Sequence, residues 1–134
     1  MDDPAIRRAI NMAVDRKAIA QAVFFGAGDP ADTILNPATL DFDQGAVPLV
    51  AAYDPAAANK LLDEAGWARG SDGIRAKGGT KASFVLYGIQ DDQTARMVEA
   101  VQADLRRVGI DIRIQLYDAT VAWGRLATQE FDSF

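Results

Sequence analysis

Three carboxylates stand where an α/β protein places its reactive groups. Asp91 and Asp92 follow an apolar run and open a helical pattern, and Asp118 follows the next apolar run. Because Mg²⁺ prefers oxygen ligands, one hypothesis is a small Mg-dependent α/β enzyme. A receiver-like signalling domain is another, but it needs a lysine after a later strand, and none follows. Aspartate oxygens also cap helix N termini, and we favour capping for Asp91 and Asp92, with no metal and no cofactor.

The composition of the chain removes several classes of chemistry. None of its 134 residues is cysteine or histidine. Thiolate nucleophiles, cysteine–histidine zinc sites, histidine general bases and Ser-His-Asp arrangements are therefore impossible within it. The net charge of −5 argues against a nucleic-acid partner, because neutralising phosphates takes a surplus of lysine and arginine. No pair of the remaining groups commits the chain to acid–base catalysis, so we predict that it is not an enzyme.

The elements that would position Asp91 and Asp92 are a strand, a helix and a second strand. The run at residues 84–87 predicts a strand covered on both faces. Four apolar residues at spacings of three, four and three share one helix face: Val98, Val101, Leu105 and Val108. Gly109 fits the left-handed position that ends a helix. Apolar residues then alternate with polar ones, which predicts a strand that buries one face: Ile110, Ile112, Ile114 and Leu116.

This unit predicts both the fold class and the position of a ligand site. Two strands joined by such a helix are parallel, with a right-handed crossover. We therefore predict an α/β fold with a mixed, mostly parallel sheet and flanking helices. Ligands of open α/β sheets bind beyond the carboxyl ends of the strands. The turn of Gly88, Ile89 and Gln90 is the predicted ligand-binding position, together with the residues after Leu116.

Further helices are predicted where an aspartate precedes an amphipathic stretch. They begin at Pro4, at Arg16, at Pro55 and at Ala119. We expect Ala22 and Val121 to face inward on two of these helices. The aromatic residues Trp67, Tyr87 and Trp123 could stack on a sugar or a base, but such residues are mostly core, and we expect core positions.

The glycine pair and the last residues complete the predicted organisation. Gly78 and Gly79 predict a hairpin turn leading into the strand at residues 84–87. Residues 130–134 look like the start of another strand, so we expect residues 1–134 to be a single α/β lobe within a longer protein. The exposed edge of that last strand could pair with a second copy of the chain.

Five stretches occur in one characteristic order along nearly the whole chain. Residues 7–16 read R-R-A-I-N-M-A-V-D-R, and the later stretches are Y-D-P at 53–55 with Ala58, L-L-D-E-A-G-W at 61–67, D-G-I-R at 72–75, and Q-A-D-L at 102–105 leading to V-G-I-D at 108–111. Together they resemble the family 5 extracellular solute-binding proteins, the dipeptide, oligopeptide and nickel receptors of ABC importers. Residues 130–132 resemble the lead-in to the family's next strand.

The resemblance implies a fold and a function. It implies part of the second lobe of a type II periplasmic-binding-protein-like receptor, without enzymatic activity, which closes around a peptide ligand and delivers it to ABC permease subunits. It also implies a periplasmic or extracytoplasmic location. Some dipeptide-binding relatives carry an arginine in the loop that matches residues 88–92. This loop has none, which argues against dipeptide specificity. The expected ligands are peptides of the oligopeptide or dipeptide class, and the missing arginine favours oligopeptides.

Overall fold

Helices and short strands alternate along residues 3–31 and 51–128, which are the residues that the computed structural model describes. The elements are α1 (Pro4–Ala13), α2 (Arg16–Phe24), α3 (Pro55–Glu64), β1 (Ala68–Arg69), β2 (Arg75–Lys77), β3 (Thr80–Lys81), β4 (Ser83–Ile89), α4 (Asp92–Arg107), β5 (Asp111–Tyr117) and α5 (Ala119–Thr128). The strand predicted at residues 130–134, and with it the edge predicted to self-associate, lies outside the described residues. None of the described helices is both long and apolar enough to cross a bilayer.

The predicted strand–helix–strand unit is present and is parallel. β4 and β5 pair in register from Ser83 opposite Asp111 to Ile89 opposite Tyr117, and α4 connects them. The α4 side of this pair is buried, with Phe84 and Ile112 in the core. The prediction that β4 is covered on both faces was wrong, because residues 85–87 are half-buried. Only two strands form this sheet within the described part, and a strand at the edge of a sheet is not fully enclosed.

Four helices form the layer that covers the α4 side of the sheet. Each has an aspartate at its N-cap whose side chain accepts a backbone N–H bond: Asp3, Asp15, Asp54 and Asp91. Such bonds satisfy N–H groups that the helix itself leaves unpaired. α1 packs on α3, and α2 packs on α4. The fully buried side chains include Ala9, Ala58, Leu62, Leu105 and Val108.

The hairpin predicted at Gly78 and Gly79 is present, but its strands form a separate sheet. β1, β2 and β3 make a three-stranded antiparallel sheet, which is linked to the start of β5 through the Arg75 N–H bond to the Gly109 carbonyl, 2.8 Å. Gly109 has φ +84°, and a Cβ there would lie 2.8 Å from Arg75 Cγ. A side chain at Gly109 would therefore both strain the backbone and displace Arg75.

Three residues that we expected to be buried are exposed to solvent. Ala22 is exposed on α2, and on α5 Val121 is 48% exposed and Trp123 56% exposed. α5 carries apolar residues around most of its circumference, so its sequence pattern does not select one buried face. Ala122 takes the buried position, whereas Trp67 lies in the core as predicted.

Candidate functional site

The parallel register brings the predicted ligand-binding turn against the end of β5. Ile89 lies opposite Tyr117, and the Gln90 N–H donates to the Tyr117 carbonyl at 2.7 Å. Gly88 is buried, Ile89 is half-buried and Gln90 is exposed. The three residues thus descend from the core to the surface at one edge of the sheet. We refer to this edge, formed by residues 88–91 and 117–118, as the carboxyl edge.

Close packing explains why glycine stands at position 88. A Cβ there would lie 3.1 Å from both Leu116 Cδ2 and Thr94 Cγ2. The main chain of β4 therefore approaches α4 and β5 closely just before the edge. This positions Ile89 and Gln90 firmly, since the turn is held by the core on one side and by the Tyr117 carbonyl on the other.

Two of the three aspartates considered for Mg²⁺, Asp91 and Asp118, accept backbone N–H bonds at helix N termini. One Asp91 carboxylate oxygen accepts from the Gln93 and Thr94 N–H groups at 2.9 and 2.8 Å, and the other accepts from the Thr94 hydroxyl at 2.6 Å. The Thr94 hydroxyl and these N–H groups lower the pKa of Asp91, because they stabilise its charged form. Asp118 accepts from the Thr120 N–H at 2.9 Å.

These carboxylates do not converge on a common point. Asp92 is exposed in the first turn of α4 and does not cap the helix. Within residues 3–31 and 51–128, no group of three or more acidic side chains is placed to hold one metal ion. The geometry of the carboxyl edge therefore favours capping over the Mg²⁺ and receiver-like hypotheses.

A cluster of two tyrosines and an arginine lies on the other face of the β4–β5 pair, close to the carboxyl edge. The Tyr87 and Tyr117 rings are 5.6 Å apart between centroids and tilted by 37°. The Arg125 guanidinium carbon lies 4.7 Å from the Tyr117 centroid and 5.9 Å from the Tyr87 centroid. Sequence reasoning missed this cluster. The sequence signal that could have found it is one tyrosine near the end of each strand, Tyr87 and Tyr117. These become neighbours on one face of the sheet only once the register of β4 and β5 is known.

An apolar cavity of about 320 Å³ lies apart from this edge, between α2 and α4. Its walls include Ile19, Phe24, Met97 and Val101. Small-molecule sites combine apolar walls with a few placed polar groups. Arg16 and Asp29 also line this cavity, and the carboxyl edge offers the Gln90 side chain and Arg125. The edge lies where ligands of open α/β sheets bind, so it is the better candidate for ligand recognition.

The sequence as a whole matches one protein family. A sequence model described as "Bacterial extracellular solute-binding proteins, family 5 Middle" matches residues 1–134. The chain belongs to this family. The resemblance drawn from the five stretches is thereby confirmed.

The relatives of this family 5 chain agree in sequence and in fold. Protein XP55 from Streptomyces lividans is 40% identical over 117 residues, covering 84% of this chain and 20% of that protein. The structure of NikA from Brucella suis in complex with Fe(III)-EDTA superposes with a TM-score of 0.85 at 39% identity, covering 97% of this chain and 26% of NikA. AppA from Bacillus subtilis, in complex with a nonapeptide, gives a TM-score of 0.83 at 29% identity, covering 95% and 25%.

The fold class is confirmed by these structures. The chain is a mixed α/β partial lobe of the type II periplasmic-binding-protein-like kind, and it spans about a fifth to a quarter of the relatives it matches. Family 5 proteins are solute-binding receptors of ABC importers and act outside the cytoplasm. The lobe to which these residues belong, and the contact of Gly88, Ile89 and Gln90 with a ligand, stay predictions.

Proposed function

We propose that this chain forms part of the ligand-binding lobe of an ABC-importer receptor for oligopeptides. The observation that carries the proposal is the match of the family model to residues 1–134. The fold is also close to that of AppA in its nonapeptide complex. In this proposal the carboxyl edge lines the cleft, and Gly88, Ile89 and Gln90 contact the ligand. The receptor acts in the periplasm or at the outer face of the membrane, binds without catalysis and delivers its ligand to ABC permease subunits.

A metal-chelate receptor is the second candidate, and the similarity to NikA with Fe(III)-EDTA supports it. The absence of histidine and cysteine from this chain means that it offers no imidazole or thiolate to a bare transition metal. A chelate would instead be recognised through its organic groups. The carboxyl edge would thus contact different chemical groups in a peptide and in a chelate.

Calorimetric titration of the full-length protein separates the two candidates. The proposal expects saturable binding of a nonapeptide pool, with the bound peptides recovered intact by mass spectrometry. Binding of Fe(III)-EDTA alone would refute the peptide assignment. Cleaved peptides would refute the non-enzymatic assignment.

Substitution of Gln90 tests whether the carboxyl edge contacts the ligand. Gln90 is exposed, so Gln90→Ala should leave folding intact and weaken peptide binding about 3- to 10-fold, as expected for the loss of one hydrogen bond. Gln21→Ala is the matched control, because Gln21 is an exposed glutamine on α2. Equal affinities for the two variants would count against a ligand role for the edge.

A further inference from the structure

We propose that Arg125, positioned by Tyr87 and Tyr117, binds a carboxylate of the ligand at the carboxyl edge. This inference rests on the proposed function and adds to it the chemical class of the ligand group recognised there. It concerns a residue on α5 rather than the turn after β4. Its basis is the combination of an arginine without an oxygen acceptor in the described part of the chain, an aromatic support and a position next to the carboxyl edge.

The aromatic support follows from the sheet register. Tyr117 pairs with Ile89, and Tyr87 stands two residues before Ile89 on the same face, because side chains alternate along a strand. Their rings therefore become diagonal neighbours, 5.6 Å apart. α5 follows β5 after Asp118 alone and carries Arg125 over both rings, at 4.7 and 5.9 Å.

The hydrogen-bonding capacity of Arg125 is unused in the described part of the chain. Its side chain donates no hydrogen bond and has no carboxylate within ion-pair distance among residues 3–31 and 51–128. Contact with a ring face uses the charge of a guanidinium and leaves its N–H groups available to oxygen acceptors. Arg125 thus keeps the planar fork that suits a carboxylate.

Comparison with the other arginines shows that this state is unusual. Among the described residues, side-chain donation to an oxygen acceptor is seen for Arg16, Arg69, Arg75 and Arg107. Arg96 and Arg113 make no such bond there and are exposed to water. In the described part of the chain, Arg125 alone is half-buried without an oxygen acceptor. A partly desolvated cation gains more from a carboxylate than a solvated one does.

A carboxylate is common to both ligand classes under consideration. The C terminus of a peptide is one, and a polyaminocarboxylate chelate such as Fe(III)-EDTA carries several. An arginine that rests on the Tyr117 ring, at the end of β5, would therefore serve either ligand.

The test compares a nonapeptide without acidic side chains, as the free acid and as the C-terminal amide, on the full-length protein. Wild type should bind the free acid about 10- to 100-fold more tightly, as expected for a charge-assisted bidentate contact. Arg125→Met should abolish this preference by weakening the free acid only, and Arg125→Lys should retain part of it. Arg113→Met, an exposed arginine on β5, should change nothing.

Further outcomes separate this inference from the proposed function. Tyr87→Phe keeps the aromatic ring, so this variant should still prefer the free-acid peptide over the amide. That result would mean that the ring face, and not the Tyr87 hydroxyl, supports Arg125. If wild type binds Fe(III)-EDTA but no peptide, and Arg125→Met weakens the chelate similarly, the peptide assignment fails and the role of Arg125 stands. Equal weakening of acid and amide by Arg125→Met, or chelate binding that Arg125→Met leaves unchanged, would overturn the role of Arg125.

Discussion

At the scale of single residues, the guanidinium of Arg75 joins elements that are distant in sequence. Its side chain is 3% exposed and donates to the Val108 carbonyl at 2.8 Å, the Trp67 carbonyl at 2.6 Å and the Asn59 side-chain oxygen at 2.9 Å. It also contacts the Asp63 carboxylate at 2.6 Å. The ends of α3 and α4 are therefore fixed to β2 by one side chain.

We predict that Arg75→Met lowers the local free energy of unfolding by about 3 kcal/mol, because it leaves buried carbonyl oxygens without donors. Asp63 is 65% exposed at its side chain, so Asp63→Asn should cost less than about 1 kcal/mol. Hydrogen exchange of the amides at residues 108–110 measures both. Equal costs would mean that the ion pair, rather than the carbonyl acceptors, carries the stabilisation.

Residues such as Arg75 and Arg125 mark the limit of sequence reasoning at this scale. Both are charged, and charged side chains are mostly exposed, so neither pattern nor composition singles them out. Their roles come from tertiary contacts: Arg75 is buried by Gly109 and the hairpin, and Arg125 depends on the register of two strands. Neither contact is encoded locally.

At the scale of elements, helix starts were predictable because capping is local chemistry. α2 begins at Arg16 as predicted, and Asp54 and Pro55 occupy the predicted N-cap and first positions of α3. The predicted cap at Asp91 is confirmed, whereas Asp92 lies within the first turn. Which face of a helix is buried was less predictable, as Val121 and Trp123 show. A short helix with many apolar residues offers more than one face for burial.

The cap of α4 gives a prediction at this scale. Asp91→Ala should destabilise the first turn of α4 by about 1 kcal/mol, because the Gln93 and Thr94 N–H groups lose their acceptor. Asp92→Ala should cost less than about 0.5 kcal/mol, since Asp92 only interacts with the helix dipole. Hydrogen exchange at residues 93–96, with and without Mg²⁺, is the measurement. Equal losses, or protection that depends on Mg²⁺, would contradict the capping assignment.

At the scale of the whole molecule, the candidate site divides between two faces of one sheet. The α4 face is closed by the helical layer and fixes Gly88, whereas the opposite face carries Tyr87 and Tyr117, on which Arg125 of α5 rests. The fold class and the carboxyl edge follow from the strand–helix–strand pattern alone. The cluster that places a positive charge next to this edge follows only from the assembled structure.

Side-chain contacts also link the start of α1 to the hairpin sheet. Asp3 caps α1 and accepts from the Trp67 indole N–H at 3.0 Å and from Lys77 Nζ at 3.1 Å. Lys81 Nζ donates to Asp72 at 2.6 Å. Hydrogen bonds from the Ala5 N–H, Lys77 and Trp67 lower the pKa of Asp3.

These contacts predict how stability depends on pH. The bond from Lys81 lowers the pKa of Asp72 and raises that of Lys81. A carboxylate with a lowered pKa contributes stability above its usual value of 3.8 and loses it as the pH falls through the lowered pKa. Lys81, with its raised pKa, contributes below its usual 10.5 and loses that contribution as the pH rises through the raised value.

Two variants separate the acid and alkaline limbs in thermal unfolding of the full-length protein. Asp72→Asn should flatten both limbs, because it removes the acid and the partner of Lys81 together. Asp3→Asn should flatten the acid limb, since it removes the carboxylate whose pKa is lowered by Ala5, Lys77 and Trp67. Glu99→Gln, at an exposed position on α4, is the control for the loss of one negative charge. If all three variants change the profile equally, net charge rather than these particular bonds governs the pH dependence.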